Sequence, residues 1–171
     1  VPIIEDILNS LNISILVKEG YEADDIIGTI AKKAKTQNFE TYMVTPDKDF
    51  AQLVEEDIYM YRPVFGGGYE TWGVKEVLDK FEISKTSQVI DFLAMKGDSV
   101  DNIPGLPGVG DKTAKKFLKE YGSLENLLKN TSNLKGKIKE KIEANKELGM
   151  LSKKLATIIT NVPIDFEINE F

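Results

Sequence analysis

Apolar residues recur at helical spacing in the first stretch, Pro2 to Leu11, where Ile3, Ile4, Ile7, Leu8 and Leu11 share one face and predict a short helix. Ile13–Gly20 (ISILVKEG) reads as a strand. An amphipathic helix follows over about 22–36, with Ile26, Ile27, Ile30, Ala31 and Ala34 on its apolar face. Lys32, Lys33 and Lys35 crowd its far end, where cations complement the helix dipole. Glu40–Pro46 (ETYMVTP) is apolar enough for a strand buried in a parallel sheet. DKDFAQLV begins a short helix, Asp57–Pro63 is a third strand, and FGGGYETWG is a glycine turn leading to an edge strand at Tyr69–Trp72. This alternation predicts an α/β unit in which a parallel sheet is joined by helical crossovers.

From Val74 the period becomes helical, with segments expected at about 74–81, 86–96, 111–121, 123–130, 134–146 and 147–155, and with ATIITN (156–161) returning as a C-terminal strand. The expected organisation is an α/β part over residues 1–85 followed by a helical, lysine-rich part over 86–171.

Composition narrows the chemistry. The 171 residues are 42% hydrophobic, enough for a real core, and no apolar run approaches the ~18 residues of a membrane span. There is no Cys, which excludes disulfides and thiolate zinc sites, and no His, so proton transfer must rely on carboxylate, Lys, Tyr or a metal-bound water. The start carries no basic signal-peptide region and no Met, so a cytoplasmic, nucleoid-associated protein that begins within a longer polypeptide is expected. Net charge is −6, unevenly spread: −9 over residues 1–110, +6 over 111–154 and −3 over 155–171. An acidic half beside a basic half suits a site that holds cations next to one that holds phosphates.

The acids recur at the ends of connections. Glu22, Asp24 and Asp25 open the second helix; Asp47 and Asp49 follow the carboxyl end of an apolar strand, where open α/β sheets place ligands; Asp98 and Asp101 sit in a glycine-flanked turn after a helix. Capping or an Asx turn explains one acid in each group but not the others. Seven carboxylates in one place would repel one another unless divalent cations offset them. Mg²⁺ or Mn²⁺ takes oxygen ligands, usually only one or two carboxylates per ion, so two or more ions are expected. A pair ~4 Å apart stabilises both the attacking and the leaving oxygen of a phosphodiester displacement.

The second signal is IPGLPGVGDKTAKKFLKEYG (103–122). Gly105, Gly108 and Gly110 permit a tight turn, Asp111 caps the next helix, and the backbone N–H groups there suit a DNA phosphate. Lys112, Thr113, Lys115, Lys116 and Lys119 lie alongside. This reads as a helix-hairpin-helix over about 96–122, whose contacts would hold the backbone without reading sequence. Gly136 in LKGKIKEKI marks a weaker candidate for a second backbone contact.

With these residues in view the chain resembles the 5′-nuclease family, the 5′–3′ exonuclease domains of bacterial DNA polymerase I and their flap-endonuclease relatives, through GYEADD, TPDKDF, GDSVDNIPGLPGVGDKTA and YGSLENLL. The resemblance implies a PIN-like core and metal-binding roles for Glu22, Asp24, Asp25, Asp47, Asp49, Asp98 and Asp101, with Glu22, Asp24, Asp47 and Asp49 closest to the chemistry. One expected partition puts Glu22, Asp24 and Asp47 at one ion and Asp49, Asp98 and Asp101 at the other. It also implies Mg²⁺-dependent hydrolysis at 5′ ends, flaps and nicks, RNA primers included, in replication and repair, with K⁺ on the hairpin carbonyls and a polymerase region in the same full-length chain. The family's first strand and its metal-binding Asp, a second such Asp and a helical arch would precede Val1, so these residues alone are expected to be nearly inactive. A non-catalytic duplex-binding module and a PIN-type ribonuclease remain the alternatives.

Overall fold

The computed structural model describes residues 2–165. Its sheet has three strands: β1 (Thr41–Val44) runs parallel to β2 (Ile58–Pro63), and β3 (Tyr69–Trp72) lies on the far side of β2, antiparallel to it. The register pairs Met43 with Met60 and Met60 with Trp72, so three large apolar side chains fall in one row on the buried face. Tyr42 stacks on Tyr59 and Tyr61 on Tyr69, as the period of two requires for the opposite face. The crossover from β1 to β2 is a single 3₁₀ segment, Lys48–Leu53, whose Phe50, Ala51 and Leu53 are buried.

Helix α1 (Pro2–Ser10) forms where its spacing predicts, yet buries nothing: Ile3, Ile4 and Ile7 are 74%, 61% and 53% exposed. The strand expected over Ile13–Gly20 is absent. A strand needs a neighbour for its backbone groups, and among the described residues none lies beside this segment, which leaves Ile13, Ile15 and Val17 exposed. Helix α2 (Ala23–Thr36) packs Ile26, Ala31 and Ala34 inward.

The helical part comprises α3 (Val74–Phe81), α4 (Gln88–Lys96), α5 (Asp111–Tyr121), α6 (Leu124–Lys129), α7 (Gly136–Ala144) and α8 (Lys146–Ala156). Helix α4 is its axis. Val89, Phe92, Leu93, Ala94 and Met95 are all buried, and one apolar core runs through them from the sheet to α8. Buried Gln88 secures the start of α4: its Oε1 accepts from Ser84 N–H (2.8 Å), and its Nε2 donates to the Gly122 carbonyl (2.7 Å). Among the described residues no helix is long and apolar enough to cross a membrane.

The strand expected over 156–161 is also absent, for a different reason. The segment's backbone is bonded by side chains instead of a neighbouring strand: Ile158 N–H donates to Gln52 Oε1 (3.0 Å), Gln52 Nε2 to the Ala156 carbonyl (2.9 Å), Ile159 N–H to Asp25 Oδ1 (2.8 Å) and Val162 N–H to buried Thr29 Oγ1 (3.0 Å). The tail is thereby strapped across α2 and the 3₁₀ segment.

A half-buried ion cluster centred on Asp91 ties α4, α6 and α8. Lys153 Nζ donates to Asp91 Oδ1 (2.6 Å) and Glu125 Oε1 (2.7 Å), while Asp91 Oδ1 also accepts the Leu124 N–H at the start of α6 (3.1 Å). Lys153→Met strands the buried Asp91 and is expected to lower stability by about 2–3 kcal/mol in urea denaturation. Burial works against a charged Glu125, but the Lys153 hydrogen bonds outweigh it and hold this carboxyl below its ordinary value. Its contribution is therefore present above the ordinary carboxylate pKa of about 4.3 and lost as pH falls through the lowered value. Lys153→Met should accordingly show a shallower loss of stability below about pH 4 than the unsubstituted chain.

Candidate metal centre

Glu22, Asp24, Asp25, Asp47, Asp49 and Asp101 line one cleft of about 830 Å³, walled on the other side by the strapped tail, Lys154 to Ile159. Each acid is placed by a local reason. Asp25, in the first turn of α2, accepts the Glu22 N–H on Oδ2 (3.4 Å) and the Ile159 N–H on Oδ1 (2.8 Å). It closes the capping box of α2, whose N-cap is Glu22, and buckles the tail, while Glu22 and Asp24 line the cleft. Asp47 caps the 3₁₀ segment, accepting Asp49 N–H on Oδ1 (2.9 Å). Asp49 is carried inward by that turn and is 8% exposed.

Asp98 and Asp101 lie on a turn closed when Asp98 and Ile103 exchange two backbone hydrogen bonds (2.9 and 2.7 Å). Two glycines make the closure possible. Gly97 (φ +76°) and Gly105 (φ +67°) approach so closely that a Cβ on Gly97 would lie 2.6 Å from the Ile103 carbonyl oxygen, and one on Gly105 2.6 Å from the Gly97 nitrogen. The turn brings Asp98 and Asp101 to Asp49, so that each of the three presents an oxygen within 4.8 Å of the others.

The electrostatics follow from this crowding. Burial, then Asp47, Glu22, Asp25 and Asp101, push the Asp24 carboxyl above its ordinary value. Burial raises Asp49 most; Lys48 opposes the rise, and Asp47, Asp98 and Asp101 add to it, leaving the group at about 6. Asp98 is held low by a hydrogen bond from Lys48, supported by the Val100 N–H. Asp49 Oδ1 is buried with no hydrogen-bond partner among the described residues. An orphaned buried carboxylate oxygen beside two further carboxylates is an all-oxygen donor set, and it fits a hard divalent cation.

The glycine connection between α4 and α5 divides differently from its sequence reading. Gly105 is buried and its N–H donates to Ser152 Oγ (3.0 Å), so it serves the Asp98–Ile103 closure rather than a surface anion site. Gly108, Gly110, Asp111 and Lys112 are exposed, and among the described residues their backbone N–H groups have no acceptor. Lys115 is tied to Glu82 (3.1 Å) and Asp111 (3.2 Å), Lys119 to Glu82 (2.9 Å) and, more loosely, Lys116 to Glu120 (3.7 Å). Lys112 has no such partner among the described residues, and Thr113 is half-buried beside it.

Three contributors escaped the sequence reading. Lys48, between the two acids of TPDKDF, reaches both Asp98 and Asp49. Gln52, one turn on, holds the tail. Lys141 of α7 runs along Gly108, its Nζ 3.4 Å from where a Cβ there would sit. Only Lys48 had a visible signal, a cation enclosed by acids within its own motif.

Comparison with known proteins covers both halves. Residues 1–82 match the 5′-3′ exonuclease N-terminal resolvase-like domain, and residues 84–171 the 5′-3′ exonuclease C-terminal SAM fold. DNA polymerase I of Bacillus subtilis is 41% identical over 98% of this chain and 19% of its own length, and that of Caldicellulosiruptor bescii 37% over 99% and 20%. A 5′-3′ exonuclease of Aquifex aeolicus is 39% identical over 99% of this chain and 56% of its own. The chain thus spans about a fifth of the length of these polymerase relatives. Among solved structures, T5 5′-exonuclease with bound divalent metal ions (zinc) superposes with a TM-score of 0.76 at 21% identity, over 87% of this chain and 54% of that one. The T5 flap endonuclease in a pseudo-enzyme–product complex with DNA and metal ions gives 0.77 at 21%, over 91% and 56%. At these identities the shared property is the fold.

The glycine closure is testable without any ligand. Gly105→Ala adds a clash with backbone to a positive φ, and a loss of about 3 kcal/mol is expected in thermal or urea denaturation. Gly110→Ala, where an added Cβ meets nothing within 4 Å, should cost less than about 1 kcal/mol.

Proposed function

The chain belongs to the 5′–3′ exonuclease family, and from that premise we propose that its acidic cleft hydrolyses phosphodiester bonds of DNA at 5′ ends, flaps and nicks, RNA primers included. The observation that carries this reading is the trio of Asp49, Asp98 and Asp101 around an unpartnered buried carboxylate oxygen. The trio, with Asp24, Glu22 and Asp47 across the cleft, would hold divalent cations, Mg²⁺ or Mn²⁺ by the hardness of the donors. When bound, such ions supply positive charge to both the entering and the departing oxygen of an in-line displacement at phosphorus. The chain's own part is to orient: Asp47 fixes the 3₁₀ turn through Asp49 N–H, and the Asp98–Ile103 closure fixes the opposing pair. Asp25, spent on the cap and the tail, supports from behind.

In the same reading, α4, the glycine connection and α5 form a helix-hairpin-helix that grips duplex beside the cut. The N–H groups of Gly108, Gly110, Asp111 and Lys112, without acceptors among the described residues, meet a phosphate, Lys112 and Lys141 flank it, and K⁺ sits on the connection's carbonyls. The polymerase relatives are about five times as long as this chain, and in the same reading a polymerase region shares the full-length polypeptide. Cleavage by the 171 residues, about a fifth of these relatives' length, is expected to be slow.

Metal binding tests the site directly. Mn²⁺ at a hundred times its dissociation constant should stabilise the chain by about 2.7 kcal/mol. Asp49→Asn should raise the melting temperature of the ion-free chain, by relieving like-charge repulsion, and abolish the Mn²⁺ shift. An Asp49→Asn chain still stabilised by Mn²⁺ would move the site elsewhere. Any cleavage of a labelled 5′-flap duplex should vanish in Asp101→Asn; preferential cleavage of single-stranded RNA would favour a ribonuclease, and duplex binding without metal binding a non-catalytic module.

Duplex binding should be salt-sensitive, because each phosphate contact releases counter-ions. Lys112→Ala with Lys141→Ala should weaken it and reduce the slope of log K against log salt by about one per lysine, with no change in sequence preference. Lys115→Ala, whose ammonium is engaged by Glu82 and Asp111, should change the slope far less.

A further inference from the structure

Lys48 stands beside the acidic trio with no role assigned to it so far. Its Nζ donates to Asp98 Oδ2 and stands 3.7 Å from Asp49 Oδ1, the buried oxygen that no hydrogen bond satisfies. Asp98 and Asp49 are two of the three residues whose oxygens converge within 4.8 Å. The ammonium is therefore at the edge of the very trio that would receive a divalent ion. One positive charge against three carboxylates leaves the cluster undercompensated, and the lysine shaft is 38% exposed, free to swing outward. No other cation contacts Asp49 or Asp98 among the described residues.

We propose that Lys48 is a displaceable counter-ion: it holds Asp49 and Asp98 together in the ion-free cleft and must leave when a divalent cation takes the Asp49–Asp98–Asp101 site. This rests on the metal-site reading above. The two cations cannot share the site, since a divalent ion among these oxygens would face the ammonium at hydrogen-bonding range of the same carboxylates. Lys48 is thus a positioning residue. It keeps Asp49 and Asp98 together until an ion binds, and it sets a threshold that a divalent ion, with twice the charge, can cross and a monovalent ion cannot.

The test compares the unsubstituted chain, Lys48→Met and Lys48→Arg. Lys48→Met keeps the length and loses the charge; its ion-free melting temperature should fall, and Mn²⁺, titrated by calorimetry and followed by the loss of free-Mn²⁺ paramagnetic resonance, should bind about tenfold tighter or better, the scale of one charge-assisted hydrogen bond no longer broken on binding. Lys48→Arg should keep the unsubstituted affinity within a fewfold. Equal or weaker Mn²⁺ binding by Lys48→Met would overturn the proposal while leaving the metal site standing. Absence of Mn²⁺ binding in all three chains would remove the site, and this inference with it. Should Lys48→Met fail to fold, the unsubstituted chain decides: the Lys48 side-chain ¹³Cε resonance should shift with Mg²⁺ and saturate with the binding isotherm, and a resonance that stays fixed overturns the exchange.

Discussion

Carboxylates that face one another across a cleft push apart, and the rest of this molecule is arranged to prevent them from doing so. Two charges 5 Å apart at an effective dielectric near 20 repel by about 3 kcal/mol, and the trio of Asp49, Asp98 and Asp101 contains three such pairs. Among the described residues Lys48, in contact, and Lys96, at longer range, offset this, and so does partial protonation, the direction in which burial and neighbouring charge drive Asp24 and Asp49. The restraint is mechanical. Phe50, Ala51 and Leu53 bury the turn that bears Asp47 and Asp49, and each large side chain contributes about 2–3 kcal/mol of apolar transfer. Opposite them, the Asp98–Ile103 closure is welded to the end of α4 through the Gly97–Gly105 approach. Core burial and backbone closure together are of the size needed to hold the repulsion.

The polar groups divide into those that build and those that wait. Asp25, Gln52 and Thr29 spend their hydrogen bonds on the tail; Glu82 takes up Lys115 and Lys119; Lys153 is consumed by Asp91 and Glu125. Among the described residues, two groups left unspent matter for the site: the oxygens of the cleft, and the N–H groups and Lys112 around Gly108. A charge tally by sequence cannot make this separation, because paired and unpaired lysines look alike there. Lys115 counts the same as Lys112 until Glu82 is seen to reach it from the end of α3.

Much of the fold could be read from periodicity: α2, the two parallel strands and the run of helices from Val74 onward follow their apolar spacing closely. The two segments read as strands that are not strands, 13–20 and 156–161, share the right local composition. A strand, however, is defined by its neighbour, which local composition does not supply. The first has no neighbour among the described residues, and the second has its backbone claimed by side chains more than a hundred residues away in sequence. The cleft acids were legible because their chemistry repeats at three connection ends. The roles of Gly105, Lys48 and Lys141 were not, since each depends on an approach between distant segments: Gly105 on Gly97 and Ser152, Lys48 on Asp98, Lys141 on Gly108.

The two unspent surfaces are not independent. The segment that leaves Asp98 reaches Gly108 in ten residues and is anchored at several points: Ile103 is buried and bonded back to Asp98, Gly105 N–H is held by Ser152 of α8, Leu106 N–H by the Met95 carbonyl of α4 (2.9 Å), and Val109 is buried. In the proposed reading, a backbone phosphate caught at Gly108–Lys112 would stand at an offset from Asp98 and Asp101 that these anchors set. For a reaction in which about 1 Å of misplacement costs on the order of a hundredfold in rate, such an offset is worth more than additional binding strength. Contacts to phosphate alone read no sequence, so a site built on them selects where along a strand to act only through geometry. In the proposed reading, the connection from Asp98 to Lys112 is where a non-specific grip on phosphate would become a defined position relative to the carboxylates.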